Sequence, residues 1–308
     1  MKIYHNIEAF KKLLYAVVTA GTFDGVHKGH RKILKKVKDI ANRENGESVA
    51  ITYWPHPRTV LLPDAEIKLI NTLDEKINLL EDFGIDHLLI IPFTKEFASI
   101  TSADFVKNIL IDRIGTKKLI IGYDHKFGKN REGGFDYLKE NQQSLGFEVE
   151  EIPREDIDDN AVSSTLIRKA LLEGDIQKAS QFLENPYTLT GEVIHGDKIG
   201  REIGYPTANI KVNDPLKIIP GKGIYAVKVK IKEALFEGMM SIGIRPTVGG
   251  EKLTLEVNIF DFNKDIYGEK ITVLFYKYLR PEVKFNNLED LKKEIDMDKK
   301  KTLLFFSK

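Results

Sequence analysis

The run Gly21-Thr22-Phe23-Asp24-Gly25-Val26-His27-Lys28-Gly29-His30 decides the reading of the N-terminal half. It follows an apolar stretch, Leu14-Tyr15-Ala16-Val17-Val18, and leads into Ile33, Leu34, Val37, Ile40 and Ala41, which recur at helical spacing. Strand, glycine-rich turn and helix start in that order aim backbone N–H groups and the positive end of a helix dipole at one point, where an anion can sit. His27 and His30, three residues apart, meet across one helical turn, and Gly29 between them leaves room for a polyphosphate. The stretch reads as a nucleotide-handling turn.

Working outward, short apolar runs at Tyr15–Thr19, Val49–Tyr53, His87–Pro92, Lys118–Gly122 and Phe147–Ile152 alternate with amphipathic patterns. These patterns span Gly29–Arg43, Leu73–Phe83, Ala103–Ile114, Gly134–Ser144, Ser164–Leu172 and Ile176–Leu183, with Thr101 and Asp104 capping the third. Alternation of this kind predicts an α/β, doubly wound parallel sheet of Rossmann-like type whose ligands collect beyond the carboxyl ends of the strands. Near Glu184-Asn185-Pro186 the pattern changes to short alternating segments: Thr188–Ile194, Ile224–Ile231, Leu235–Gly243, Leu253–Phe260 and Lys270–Tyr278. An all-β, antiparallel barrel or sandwich is expected there, closed by a helix over Leu288–Ile295 capped by Asn287. The expected domains are therefore 1–185 and 186–308, in keeping with a length of 308 residues that exceeds one usual core. Lys299-Lys300-Lys301 reads as a solvated helix end.

Composition narrows the partners. With 47 basic against 46 acidic residues the net charge is +1, so no general field attracts nucleic acid or anionic lipid, and anion recognition has to be local. Cysteine is absent, which excludes disulfides, thiolate metal sites and cysteine nucleophiles. The polar segment Met1–Lys12 lacks the apolar region of a signal peptide, and no stretch of membrane-spanning length occurs; a cytoplasmic protein is expected.

Further segments bear on the site. Gly122-Tyr123-Asp124-His125-Lys126-Phe127-Gly128-Lys129-Asn130-Arg131 follows a strand and gathers cations, as an exposed basic loop also would. Ser163-Ser164-Thr165-Leu166-Ile167-Arg168 opens a helix with hydroxyls, an N-cap at the least, and sets an arginine one turn in. His56 stands between Pro55 and Pro57 at the end of a strand, open to ligand or to packing. In the second half, Gly196, Lys198, Gly200 and Arg201 form a glycine-bounded basic loop. Thr207 and Asn209, two apart on an extended backbone, present two neutral oxygens to one face, suited to Mg²⁺ carrying phosphates or to an ordinary turn. Glu256 shares one face of an alternating strand with Thr254 and Asn258.

Together His27-Lys28-Gly29-His30 and Ser163–Arg168 resemble the signature of HxGH nucleotidyltransferases, and Phe23–His27, the Pro-His-Pro turn and the Gly-Tyr-Asp…Phe-Gly loop resemble bacterial FAD synthetases. Residues 187–308 resemble riboflavin kinase through Gly204-Tyr205-Pro206-Thr207-Ala208-Asn209, Gly223-Ile224-Tyr225-Ala226, Ser241–Thr247, Glu256 and Asp265-Ile266-Tyr267-Gly268. The resemblance implies a nucleotidyltransferase domain followed by a six-stranded antiparallel barrel with a C-terminal helix. It implies that riboflavin and ATP give FMN in the second domain, and that FMN and ATP give FAD and pyrophosphate in the first, with Mg²⁺ as cofactor.

By resemblance, His27 and His30 stabilise the transition state, while Gly21, Phe23, Asp24, Gly29, Asp124, Ser164, Thr165 and Arg168 bind ATP. His56, Lys126, Arg131 and Arg280 fall in the flavin or phosphate vicinity. In the kinase half Glu256 is the base, Thr207 and Asn209 hold Mg²⁺, and the Gly196–Arg201 loop closes over phosphates. The sequence departs from the family at His125 (usually phenylalanine), Leu166 (often lysine), Asn258 (often histidine) and Pro281. Two rival readings are an adenylyltransferase acting on another phosphate and a flavin-binding regulator without catalysis. The linked kinase module opposes the first, and the Glu256, Thr207 and Asn209 set opposes the second. The sequence is silent on oligomeric state.

Overall fold

A computed structural model describes residues 1–153, 162–196, 200, 204–247, 250–285 and 287–307. The chain divides into two compact units, Met1–Ser164 and Thr165–Lys308.

The first unit is built on six parallel strands: β1 (Lys2–Tyr4), β2 (Ala16–Ala20), β3 (Glu47–Trp54), β4 (His87–Pro92), β5 (Thr116–Gly122) and β6 (Glu148–Ile152), in spatial order β1-β4-β3-β2-β5-β6. All five residues of β2 are buried, which is why the strand reads as a continuous apolar run rather than an alternating one. Helices cover the sheet. α1 (Lys28–Arg43) buries Leu34, Val37, Ile40 and Ala41. α2 (Leu73–Phe83) starts at a reciprocal cap, Glu75 N–H to the Thr72 hydroxyl at 3.2 Å and Thr72 N–H to the Glu75 carboxylate at 3.0 Å. It ends at Gly84 with a left-handed φ of 83°. A helix opening at Ser102 is capped by Thr101 as expected, and it widens into π-type turns over Phe105–Ile114. α3 (Phe135–Leu145) lies between β5 and β6 in the chain. Strand order reverses at β2, so the turn that follows it lies at the switch point of the sheet.

The division between units falls one residue into α4 (Ser164–Leu172); α5 (Ile176–Leu183) packs against β7 (Tyr187–Ile194) and β12 (Lys270–Arg280) of the second unit. With β8 (Ala208–Lys211), β9 (Gly223–Ile231), β10 (Ala234–Thr247) and β11 (Gly250–Ile259), these strands close a six-stranded antiparallel barrel in the order β10-β11-β8-β7-β12-β9. β7 alternates buried and half-buried residues along its whole length, as a barrel wall with one packed face requires. Leu189, Val227, Val229, Met240, Ile242, Val257, Val273 and Phe275 fill the interior.

The C-terminal helix α6 (Leu288–Phe306) starts at the expected cap, Asp290 N–H to the Asn287 side chain at 2.8 Å, and runs well past the expected Ile295. Lys299–Lys301 are therefore inside the helix. Its continuation is anchored by Asp298, 1% exposed, which accepts from the Arg280 guanidinium at 2.8 and 2.9 Å.

Candidate active sites

In the first unit the turn after β2 is held in an unusual backbone. Phe23 and Val26 have φ of 47° and 41°, and Gly25 has 92°, a cluster of left-handed values that non-glycine residues adopt at a cost of about 1–3 kcal/mol each. Surrounding bonds impose it. The buried Asp24 carboxylate accepts from the backbone N–H of Ile70 at 3.0 Å and of Asn71 at 3.2 Å. The Thr52 hydroxyl donates to the Thr22 carbonyl at 3.2 Å, and the Ser164 hydroxyl to the Asp24 carbonyl at 2.9 Å. Phe23, 1% exposed, packs under the turn. Gly21 and Phe23 are tightly matched, since a Cβ at Gly21 would stand 3.3 Å from the Phe23 ring.

His27 is the N-cap of α1, makes no side-chain cap bond, and is followed by no acidic residue in the first turn. The His27 side chain therefore does not itself close the first turn of α1. The His27 and His30 rings stack face to face with centroids 3.7 Å apart and planes 18° apart, and Phe23 meets His30 edge-on at 5.3 Å. His30 keeps partial solvent access, yet its Nδ1 is buried with no hydrogen-bond partner among the described residues. Its pKa lies well below the usual imidazole value, through burial first, then the neighbouring His27, then Lys76.

That last residue escaped the sequence reading. Lys76 is 1% exposed, with Nζ 3.4 Å from the Thr52 hydroxyl and 5.4 Å above the Trp54 ring. Burial pushes its ammonium down to about 8, against the pull of Asp24. A signal existed: Leu73, Lys76, Leu80 and Phe83 share one face of α2, so a lysine occupies a core-facing stripe.

Asp124, Lys126 and Arg131 are exposed. His56 is 5% exposed and uses Nδ1 to accept from Arg58 N–H at 3.2 Å, capping the short helix Pro57–Leu61. In α4, Ser164 and Arg168 lie one turn apart on one face, with Thr165 exposed beside them. His125 stands 5.7 Å from Phe127, ring to ring, and burial pushes its pKa down to about 4, with Asp124 opposing and Arg131 assisting. A neutral aromatic ring therefore fills the place where the family usually has phenylalanine.

In the barrel, the Thr207 hydroxyl donates to a Glu256 carboxylate oxygen at 3.1 Å, and Glu256 faces Asn209 across the β8–β11 pair. Gly196 lies against the Asn209 amide so closely that a Cβ there would come within 2.1 Å of its nitrogen. Gly200 takes a bond from Tyr205 N–H at 2.7 Å, and a Cβ on it would fall 3.5 Å from the Thr207 hydroxyl. Asn258 donates to the Pro206 carbonyl at 2.7 Å, so in place of the family's usual histidine it ties down the run that carries Thr207 and Asn209. Lys198 and Arg201 lie outside the described residues. Arg280 is engaged by Asp298 and by Glu294 at 3.3 Å, which directs its charge to α6. Among the described residues no group of three or more His, Asp or Glu side chains is placed to hold a metal.

Two different sets of groups thus stand in two separate units, one of stacked imidazoles at an open helix start, the other of a carboxylate beside a hydroxyl and an amide. Residues 10–166 match the FAD synthetase family and residues 183–306 the riboflavin kinase family. The chain belongs to the bifunctional riboflavin kinase/FMN adenylyltransferase family. It is a transferase, with its FAD synthetase domain first and its riboflavin kinase domain second. It is 37% identical to the bifunctional riboflavin kinase/FMN adenylyltransferase of Listeria monocytogenes over 294 residues, 95% of this chain and 93% of the relative. The Haemophilus influenzae protein of the same description is 37% identical over 304 residues, 98% and 97% of the two chains. A crystal structure described as a macrolide-efflux protein from Streptococcus pneumoniae is similar with a TM-score of 0.88 and 32% identity, covering 97% of both chains. Among the described residues no helix is long and apolar enough to cross a membrane. The two family matches leave residues 167–182, most of α4 and α5, outside both.

Proposed function

We propose that the two sites act in succession on one flavin, the barrel converting riboflavin to FMN and the first unit converting FMN to FAD, by two chemistries that differ in their need for a base. In the barrel the attacking group is a neutral hydroxyl that must lose a proton to reach the γ-phosphorus of ATP. Glu256 is the general base. Thr207 and Asn209 supply neutral oxygens for Mg²⁺, and their pairing with a carboxylate fits a hard cation that also keeps phosphate and water ligands. The metal, when bound, neutralises charge on the phosphates. The stretch from Gly196 through Gly200 is assigned by resemblance to covering them, with Lys198 and Arg201 outside the described residues.

In the first unit the attacking group is the FMN phosphate, already an anion, so alignment and charge stabilisation suffice. His27 and His30 donate hydrogen bonds to the triphosphate at the start of α1. Ser164, Thr165 and Arg168 hold the β- and γ-phosphates, and Asp124 lies toward ribose or adenine. Lys126, Arg131 and His56 border the flavin side. Gly21, Phe23, Asp24 and Gly29 shape the turn that ATP approaches. By this reading residues 1–185 serve adenylyl transfer and 186–308 serve the kinase, in a cytoplasmic enzyme with small-molecule partners and no nucleic-acid or membrane partner.

The observation that carries the proposal is the contrast between the two carboxylates. Asp24 is spent on the amides of Ile70 and Asn71, whereas Glu256 stands 3.1 Å from Thr207 at the proposed phosphate position. The test is to incubate the protein with riboflavin, ATP and Mg²⁺ and separate the flavins by chromatography. Glu256→Ala should stop FMN formation while FAD still forms from supplied FMN, and His30→Ala should do the reverse. Loss of both activities in either variant, or unchanged FAD output in His30→Ala, refutes the assignment.

A further inference from the structure

The first unit buries a full cation that the chemistry above does not use. α2 directs Lys76 inward between Leu73 and Leu80, where side chains of the Phe23, Val26 and Leu80 cluster pack against Trp54 and Ile77. A lysine at 1% exposure is rare unless paired, and its surroundings are specific. From β3, Thr52 accepts its bond and passes one on to the Thr22 carbonyl, so Lys76 reaches the glycine-rich turn through one hydroxyl. Trp54, also on β3, offers its ring face at 5.4 Å. From the turn, the Asp24 carboxylate attracts it; from α1, His30 feels its charge. Among the described residues, His30 also faces His27, at the cap of its own helix, and the uncharged Phe23 ring.

We propose that Lys76 is a positioning residue for adenylyl transfer: through the Thr52 hydroxyl and the Thr22 carbonyl it holds the glycine-rich turn from beneath, and with the turn the His27–His30 pair. This deepens, and rests on, the adenylyltransferase reading of the site. Two imidazoles stacked at 3.7 Å cannot both carry charge cheaply, and burial first, then His27, then the Lys76 cation favour the neutral His30 ring. The stacked pair can then form without repulsion, with the rings already placed for the nucleotide. An arriving polyphosphate brings the opposite charge and reverses that balance, so nucleotide binding draws a proton to the pair. Lys76 would not touch the substrate; it would act through Thr22, Asp24 and His30.

The experiment uses the full-length chain in three forms: wild type, Lys76→Met and Lys76→Arg. The His30 midpoint is followed by NMR of the imidazole C–H signals in the nucleotide-free protein, assigned with His30→Ala. The pH profile of kcat/KM for FAD formation from FMN and ATP is measured alongside, with riboflavin kinase activity as an internal control. In Lys76→Met the His30 midpoint should rise, since one of the three influences that hold it down is removed. FAD formation should fall roughly tenfold or more, as for loss of a supporting group behind a ligand, with kinase activity unchanged. Lys76→Arg should keep the low midpoint but lose the basic limb near pH 8 that belongs to the lysine itself. An unmoved His30 midpoint in Lys76→Met, or a Lys76→Arg profile that keeps the basic limb, overturns the proposal. If Lys76→Met does not fold, the Lys76→Arg profile alone decides. If His30→Ala itself forms FAD at the wild-type rate, the site reading fails rather than the role of Lys76.

Discussion

Gly196→Ala would move one proposed metal ligand without removing it. The glycine φ is outside the left-handed region, so alanine fits the backbone, and the three nearest atoms its new methyl group would meet all belong to Asn209. An added Cβ would stand 2.1 Å from the Asn209 amide nitrogen, 2.5 Å from its Cγ and 2.9 Å from its oxygen. Ordinary contact requires roughly 3.5 Å, so the amide has to retreat by more than about 1 Å. A displaced rotamer of this kind costs on the order of 1 kcal/mol in stability, because the amide is the free end of its side chain. Misplacing a group by about 1 Å at a reacting centre costs about a hundredfold in rate. Kinase turnover should therefore fall by about two orders of magnitude, while FAD formation from supplied FMN is unchanged and the unfolding temperature falls by only a few degrees, roughly 2–4 °C. The assay is FMN production from riboflavin at saturating ATP and Mg²⁺, followed by chromatography. The double variant Gly196→Ala/Asn209→Ala should be no slower than Asn209→Ala alone, since both act on the same amide. Kinase activity within twofold of wild type in Gly196→Ala, or additive losses in the double variant, would refute the placement of Asn209 in the site.

Thr207→Ala should raise the Mg²⁺ concentration needed for half-maximal kinase activity and leave adenylyl transfer unchanged; an unaltered metal dependence removes Thr207 from the ligand set. Lys76→Met should stabilise the first unit at neutral pH while impairing it. The native amine releases its proton near 8, the unfolded one near 10.5, so between these values the unfolded state binds more protons and stability climbs with pH. The difference of about 2.5 units corresponds to about 3 kcal/mol of stability that wild type lacks at pH 7 and recovers toward pH 10. Trp54 is the only tryptophan, so its fluorescence reports unfolding of this unit, and a stability gap that stays constant from pH 7 to pH 10 would contradict the buried charge.

Why some of this was legible in the sequence and some not follows from where each signal is stored. Buried parallel strands declare themselves as apolar runs, and His87–Pro92 and the helix Leu73–Phe83 fall on the expected residues. β1 carries no such run: Lys-Ile-Tyr becomes a strand only because Lys2, Ile3 and Tyr4 pair with His87, Leu88 and Leu89. β8 is four residues long and owes its existence to partners on β7 and β11; the sequence marked Thr207 and Asn209 as extended but showed no sixth strand by pattern. α6 outran its periodic stretch because Asp298 and Thr302 are buried polar residues, the first bonded through Oδ2 to Arg280 and the second to the Asp298 carbonyl, and periodicity treats such residues as exposed. The glycine-rich turn and the histidine pair were readable because their chemistry is local, one turn of helix apart. Lys76 was not read because its meaning depends on Thr52, Asp24 and His30, distant in sequence. Yet its departure from the stripe of Leu73, Leu80 and Phe83 was visible all along. A charge set where local rules ask for an apolar side chain marks a site where stability has yielded to function. At Lys76 the two quantities should move in opposite directions, which separates a functional charge from a merely tolerated one.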